Sequence, residues 1–305
     1  MNAPSIAIVG SGVIGTAFGV LMRQHGSDVT TVTGRQWERI MASAARIGCT
    51  PSASVEQAAR SAPWILVAVP DDVIGHVGER IAAVWRESLP PDAAVIHCSG
   101  ARGTEALAAV EAVGAATGVC HPLASMMNLE AALEWLPRAC FGISGAGSGH
   151  AFAQHVALHI SGSFVELDDK RRALYHAGAC VAAGYLTALL DMASGLLMDG
   201  AGFTPHETIQ ALSPLIDSTI ENIRRYGTTR ALTGPVARGD VGTIQRHLEE
   251  MERRQVPERW FRMYRTLGDA ALELAEARGM DAASAAAVRQ VLRGDAQALP
   301  KSSNE

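Results

Sequence analysis

Lysine is almost missing from this chain: of 26 Lys and Arg residues, only Lys170 and Lys301 are lysines. There is no Gly-Lys-Ser/Thr phosphate loop, and any lysine-dependent chemistry rests on Lys170, because Lys301 lies in the polar tail Lys-Ser-Ser-Asn-Glu. A basic excess is lacking too. The formal net charge is −5, so nothing is available to neutralise a phosphate backbone, and nucleic acid is excluded as a partner. No Cys-x-x-Cys pair occurs among Cys49, Cys98, Cys120, Cys140 and Cys180. An odd, scattered set of thiols fits a reducing cytoplasm, with each cysteine a small buried apolar group. The apolar N-terminal stretch has no basic start and does not read as a secretory signal. Long unbroken apolar runs are also absent. The most apolar segment, 177–198, is interrupted by Asp191 and holds Gly184 and Gly195, which reads as a buried helix and not a membrane span.

What is present is enough for two domains. The chain has 305 residues, 48% of them hydrophobic and 19% charged, too apolar for disorder. The first half alternates strand-like and helix-like segments. Strand candidates are Ser5–Val9, Asp28–Thr33, Trp64–Val69, Ala93–Cys98, Gly118–His121, Cys140–Ser144 and Ser163–Leu167. Continuous apolar runs joined by helical spacing predict an α/β fold, a doubly wound, mainly parallel sheet covered on both faces. From Asp168 onward almost everything has helical periodicity. Asp168 or Asp169 caps a long helix to about Asp199, and Thr204-Pro-His-Glu207 reads as a capping box with proline in the first turn. Further helices are predicted at about 208–226, 241–251, 258–278 and 282–292. The expected organisation is a doubly wound α/β domain over residues 1–167 and an all-α domain over 168–305.

Gly10-Ser11-Gly12-Val13-Ile14-Gly15 directly follows the first strand and opens the first helix. That context gives the glycine pattern its meaning. Gly10 permits a tight turn, Gly12 admits a pyrophosphate against the backbone, Gly15 lets helix and sheet approach, and the helix N-terminus offers free N–H groups. The second strand then ends in Thr33-Gly34-Arg35, where an NAD site would carry a carboxylate for the ribose hydroxyls. A guanidinium there suits a 2′-phosphate, and Thr33 could add a hydrogen bond, so the predicted cofactor is NADP(H). The alternative for Arg35 is an exposed residue at a helix start. Val69-Pro70 and Ser99-Gly100 end two further strands and should line the same cleft; Asp71 and Asp72 better suit the N-terminus of the next helix.

Two histidines are candidates for chemistry. His121 ends a strand at the same rim, and His176 lies about two turns into the long helix. Either could give a proton to an atom receiving hydride, because histidine ordinarily titrates near neutrality. Thr233, Arg238 and Asp240 stand out in Ala231-Leu-Thr-Gly-Pro-Val-Ala-Arg-Gly-Asp240. Arg238 could clamp a substrate carboxylate, and Asp240 either orients it or caps the next helix. His150, His155 and His159 lack acidic or thiol partners at ligand spacing, so they read as part of a solvated helix and no metal is expected. Met126, Met127 and the tryptophans read as core packing.

These motifs resemble a family of NADP oxidoreductases in which a Rossmann-like domain precedes the helical domain of unknown function 2520. The likeness rests on Gly10–Gly15, Val69-Pro-Asp-Asp72, His97-Cys-Ser-Gly100, His121-Pro-Leu123, Tyr175-His-Ala177, Ser213-Pro-Leu-Ile216, Asn222 and above all the 231–240 segment. The layout is similar to pyrroline-5-carboxylate reductase and to phosphogluconate and hydroxyacid dehydrogenases. The resemblance implies that the helical domain covers the nicotinamide and often forms a dimer. It also implies an asparagine near position 184, where this chain has Gly184-Tyr185, and, in the hydroxyacid dehydrogenases, a catalytic lysine on a helix where this chain has His176. The expected activity is NADPH-dependent reduction of a small carboxylated imine or 2-oxo acid, with His176 and His121 at the reacting atoms and Arg238 on the carboxylate. The rivals are a nucleotide-binding sensor without turnover and a 3-hydroxy acid dehydrogenase. A small-molecule substrate, a cytoplasmic homodimer joined through the helical domain, and no membrane partner complete the expectation.

Overall fold

The computed structural model describes residues 3–294. The chain forms two compact units, 1–186 and 187–305. In the first unit the elements run β1 (Ile6–Val9), α1 (Val13–Gln24), β2 (Val29–Thr33), α2 (Trp37–Ile47), β3 (Thr50–Pro51), α3 (Val55–Ser61), β4 (Trp64–Val67) and α4 (Ile74–Glu87). They continue with β5 (Ala94–His97), α5 (Ala108–Glu111), β6 (Ala116–Pro122), α6 (Leu129–Trp135), β7 (Phe141–Gly145), α7 (Gly147–Ile160), β8 (Phe164–Glu166) and α8 (Arg172–Cys180).

The strands form one eight-stranded sheet in the order β3-β2-β1-β4-β5-β6-β7-β8. All neighbours are parallel except β6 and β7. The first six strands follow the doubly wound order expected of a dinucleotide-binding sheet, so their carboxyl ends share one rim. β1, β4 and β5 are buried at every residue, because helices cover both faces and no position can face water. One core lies on each face: Phe18, Phe141 and Phe152 centre one, and Trp85, Ile65 and Ile81 the other. The two-residue β3 is too short to leave a sequence pattern.

Several predicted caps are formed as read. Asp168 accepts from the Lys170 N–H at the start of the long helical run. Thr204 and Glu207 make the reciprocal capping box. The long run is not uniform: a π-helical turn at Val181–Tyr185 separates α8 from α9 (Leu186–Ala201). Units divide at residue 186, inside this run and not at the change of periodicity near Asp168.

The second unit contains most of α9, then α10 (Pro205–Ala231), α11 (Val241–Arg253), α12 (Glu258–Ala277) and α13 (Ala282–Arg293). Its core is small, with Ile244, Leu248, Leu272 and Val288 at the centre of α11, α12 and α13. Gly195 of α9 lies flat against the Trp260 ring, where a Cβ would sit 2.0 Å from the indole. Helix α10 keeps helical dihedrals up to Tyr226 and breaks at Gly227 (φ 75°).

Three expectations are corrected here. The segment expected to be a buried helix is not buried within the chain: of the apolar window in the helical run Asp169–Ala201, only 6% is buried. By length and composition that run could also cross a membrane. The 147–160 stretch is not a solvated helix: Phe152, Val156 and Ile160 are in the core, and the His155 ring packs edge-on to Trp64. Met127 is exposed, as are Trp37 and Trp135; Trp64 and Trp85 are the core tryptophans. Lys301 lies outside the described residues.

Candidate functional site

The glycine turn is built on steric necessity. Gly10 has φ +128°, and a Cβ there would stand 2.1 Å from the Ala68 carbonyl oxygen. At Gly15 a Cβ would stand 1.9 Å from the Gly10 oxygen, so α1 can start this close to the sheet only with glycine. A Cβ on Gly12, in contrast, would meet nothing within 4 Å. It would project into the open cradle in front of the α1 N-terminus, where an anion would lie. Helix α1 has neither a side-chain cap nor an acidic residue in its first turn, so its N–H groups and its dipole are uncompensated. Gly34 lets the end of β2 close on Ser11, whose Oγ would be 2.4 Å from a Cβ at that position. These residues fit a dinucleotide pyrophosphate.

Arg35 is exposed and makes no hydrogen bond or ion pair among the described residues. A recess beside the turn is lined by Ser11, Gly12, Thr16, Ser43 and two more guanidinium side chains, Arg39 and Arg46 of α2. Thr33 Oγ1 is shut off from solvent and has no hydrogen-bond partner, while its carbonyl accepts from Gly10 N.

The second part of the site stands at the ends of β4, β5 and β6, all in the first unit. Its cleft is lined by Ile14, Asp71, Ser99, Gly100, His121 and His176, with Cys98, Pro122, Ala124 and Met126 around them. Val69 packs part-buried against the core below, and Pro70 precedes the short 3-10 turn Asp71–Val73. Gly100 is the wedge between the two histidines: a Cβ there would be 2.5 Å from His176 Cδ2 and 2.7 Å from His121 Nε2. The two rings stand edge to face, 5.9 Å apart.

His121 Nδ1 is 3.0 Å from the Tyr175 hydroxyl. Burial, with the neighbouring His176 and Arg172 adding to it, pushes the His121 pKa down to about 4. This corrects the expectation of a near-neutral pKa: at pH 7 His121 is an uncharged imidazole. Burial also lifts the Tyr175 hydroxyl to about 12, so it keeps its proton and shares one hydrogen bond with Nδ1, whose direction follows the imidazole tautomer. His176 also approaches the Cys180 thiol, at 3.9 Å.

Asp71 was assigned by its sequence position to a helix start, and the structure gives it another partner. It makes no capping bond; its Oδ2 accepts from Ser99 Oγ at 2.7 Å. Ser99 is itself locked, because its Oγ accepts from the N–H groups of Ala101 and Arg102. Behind it, the fully buried His97 accepts from Ser99 N through Nδ1 and donates from Nε2 to the Gly103 carbonyl. Burial holds His97 below the usual histidine range. No pattern in the sequence separated Asp71 from Asp72; the signal lies in the Ser99 loop 28 residues away.

The start of α8 is anchored by a buried ion pair that sequence reasoning missed. Arg172 is 1% exposed. Its Nε donates to Asp169 Oδ1 at 3.1 Å and its Nη2 to Ser144 Oγ at 2.8 Å, while its Nη1 has no partner. Asp169 also accepts from Ser144 Oγ and from the N–H and hydroxyl of Thr104. Burial alone would raise its pKa, but these bonds outweigh burial and hold it below the usual range. Tyr175 and His176 follow Arg172 by three and four residues, so this anchor sets both over the end of β6.

The remaining predicted residues are in the second unit. Arg238 ends a 3-10 turn, is exposed, and makes no hydrogen bond or ion pair among the described residues. Asp240 is the cap of α11, accepting from Thr243 N at 3.0 Å and from its hydroxyl. Thr233 is exposed. Among the described residues no group of three metal-ligating side chains forms. His155 instead bonds Ser27 at 2.9 Å and His150 bonds Glu166 at 2.8 Å.

Comparison with known proteins places two family matches along the chain. Residues 2–122 match a Rossmann-like domain, and residues 139–271 match the domain of unknown function DUF2520. No curated protein matches the sequence. Among solved structures, a candidate NADP oxidoreductase from Bacteroides fragilis is 19% identical with a TM-score of 0.70, over 88% of this chain and 98% of that one. An imine reductase from Myxococcus stipitatus in complex with NADP+ is 14% identical with a TM-score of 0.63, over 90% and 93%. A pyrroline-5-carboxylate reductase from Coxiella burnetii is 14% identical with a TM-score of 0.59, over 90% and 99%. At these identities the likeness shows a shared fold.

Proposed function

The chain belongs to the proteins that join a Rossmann-like domain to a DUF2520 domain, and from that premise we propose that it is an NADPH-dependent oxidoreductase acting on a small carboxylated imine or 2-oxo acid. The observation that carries this reading is the rim of the sheet itself. An uncapped helix N-terminus with an open cradle at Gly12 stands beside a cleft that gathers Asp71, His121 and His176. The structural neighbours include proteins named as imine and pyrroline-5-carboxylate reductases, in line with this class.

In this reading the pyrophosphate lies on the Gly10–Gly15 turn, and Arg35, in place of a carboxylate, favours the 2′-phosphate of NADP(H). The cofactor supplies hydride; the chain positions and polarises. Neutral His121 presents Nε2 to the cleft as a hydrogen-bonding group. His176 supplies a proton where the acceptor atom needs one; Arg238, in the second unit, is proposed as a carboxylate ligand. The gathering of two histidines and a carboxylate favours a catalyst over a nucleotide sensor. A homodimer in the cytoplasm, formed through the exposed apolar faces of α9 and α10, completes the proposal.

The test is a fluorescence titration with NADPH and NADH, repeated for Arg35→Ala. The expected result is preferential NADPH binding, weakened about tenfold or more in the variant while NADH binding holds, since 1.4 kcal/mol is a factor of ten. Absence of binding by either nucleotide would end the oxidoreductase reading.

A further inference from the structure

We propose that the cleft is built for a cationic substrate, an iminium, and that Asp71 is its counter-ion. This rests on the oxidoreductase reading and narrows it from two acceptor classes to one.

The argument is one of charge. Among the residues lining this cleft, Asp71 is the one carboxylate, and no Lys or Arg stands with it. The other polar groups are Ser99, Cys98 and the two imidazoles. The groups facing Asp71 from the neighbouring elements are Ser99 and Cys98 after β5, His121 at the end of β6 and His176 on α8. Tyr175 and Arg172 of α8 stand behind His121. His121 stays neutral because burial opposes its charging, and the Arg172 guanidinium is engaged with Asp169 and Ser144. A carbonyl acceptor would develop negative charge on its oxygen beside Asp71 as hydride arrives, and no Lys or Arg lines the cleft to offset it. An iminium brings the opposite charge.

Asp71 is also held ready. Its Oδ2 takes the Ser99 hydroxyl at 2.7 Å, and its Oδ1 makes no hydrogen bond among the described residues. Three bonds fix Ser99, and fully buried His97 fixes the loop that carries it. A carboxylate oriented by a locked hydroxyl loses little freedom on engaging a cation, which is how preorganised electrostatics assist a reaction.

The step balances without an acid in the hydride transfer. Hydride leaves nicotinamide C4 of NADPH with its electron pair and bonds to the iminium carbon. The C=N π pair moves to nitrogen, giving a neutral amine and NADP+. The positive charge passes from substrate to cofactor. For a neutral imine the proton is already on nitrogen when hydride arrives, and His176 is placed to deliver it.

The test compares N-methylpyrrolinium, whose charge is permanent, with cyclopentanone, a neutral acceptor of the same ring size, for the wild type, Asp71→Asn and Asp71→Glu. NADPH affinity is measured separately for each. The expected result is that the wild type reduces the iminium and strongly prefers it. Asp71→Asn raises its KM about tenfold with NADPH affinity unchanged, and Asp71→Glu restores part of the loss. The wild-type rate on N-methylpyrrolinium should also vary little between pH 6 and 8, because no substrate proton is at stake. Preference for the ketone or a 2-oxo acid, with NADPH bound normally, would overturn the iminium proposal and leave the oxidoreductase reading standing. A loss of NADPH affinity in Asp71→Asn would assign Asp71 to the carboxamide of the cofactor and overturn its role here. Failure to bind NADPH at all would remove the broader reading as well.

Discussion

The first unit hides its apolar residues on both faces of a sheet; the second leaves many of its own uncovered. Strands β1, β4 and β5 show no exposed residue, whereas Ile209 and Leu215 of α10 are 59% and 62% exposed. A sheet clothed by helices closes its core within one chain. In the second unit the core is made by α11, α12 and α13, while α9 and α10 bury Met192, Thr208 and Leu212 and keep Ile209 and Leu215 exposed. The contrast teaches that the second unit's sequence is written for a surface that one chain does not supply, and a second copy is the proposed occupant.

The sharpest way to break this contrast is Arg172→Met. Removing one partner of a buried pair leaves Asp169 uncompensated, at a cost of about 3–5 kcal/mol. Denaturant melts should show that loss, and His121 and Tyr175 should shift in NMR spectra as α8 moves. Next comes Gly10→Ala, where a Cβ would overlap the Ala68 carbonyl. A loss of about 2–4 kcal/mol is expected together with loss of nucleotide binding. Exposed Gly200, with nothing within 4 Å of its Cβ position, should instead tolerate alanine and gain about 0.5–1 kcal/mol.

The double variant Ile209→Asp, Leu215→Asp tests the uncovered surface. Its mass by light scattering should be half that of the wild type, with the far-UV spectrum unchanged. A wild-type monomer at micromolar concentration would remove the proposed dimer.

A further effect is with pH. His121 and His155 are both held down to about 4, chiefly by burial, against an ordinary value of 6.5. Between those values the unfolded chain binds protons that the folded chain refuses, so stability is full above pH 6.5 and falls as pH drops toward 4. A urea midpoint that declines over that window, and declines less in His155→Gln, is the expected outcome.

Much of the site was legible in the sequence because its constraints are local. Glycines at 10, 12 and 15 act within one turn, and Arg35 follows the strand that places it. His121 and His176 were found as separate candidates, though nothing in their spacing showed Gly100 between them. Asp71 and Arg172 were not legible. Asp71 acquires its role from Ser99, and Arg172 from Ser144 and Asp169, across pairings that only the folded sheet creates.

The sequence by itself determined the layers, the glycine turn, the absence of an acidic ribose ligand and the helix caps, since each depends on backbone geometry or on neighbours a few residues away. Tertiary structure alone decided which carboxylate faces the cleft, which histidine is held neutral, and where the long helix finds no cover. Those outcomes depend on burial and on contacts between distant segments, and neither has a period that a sequence can display.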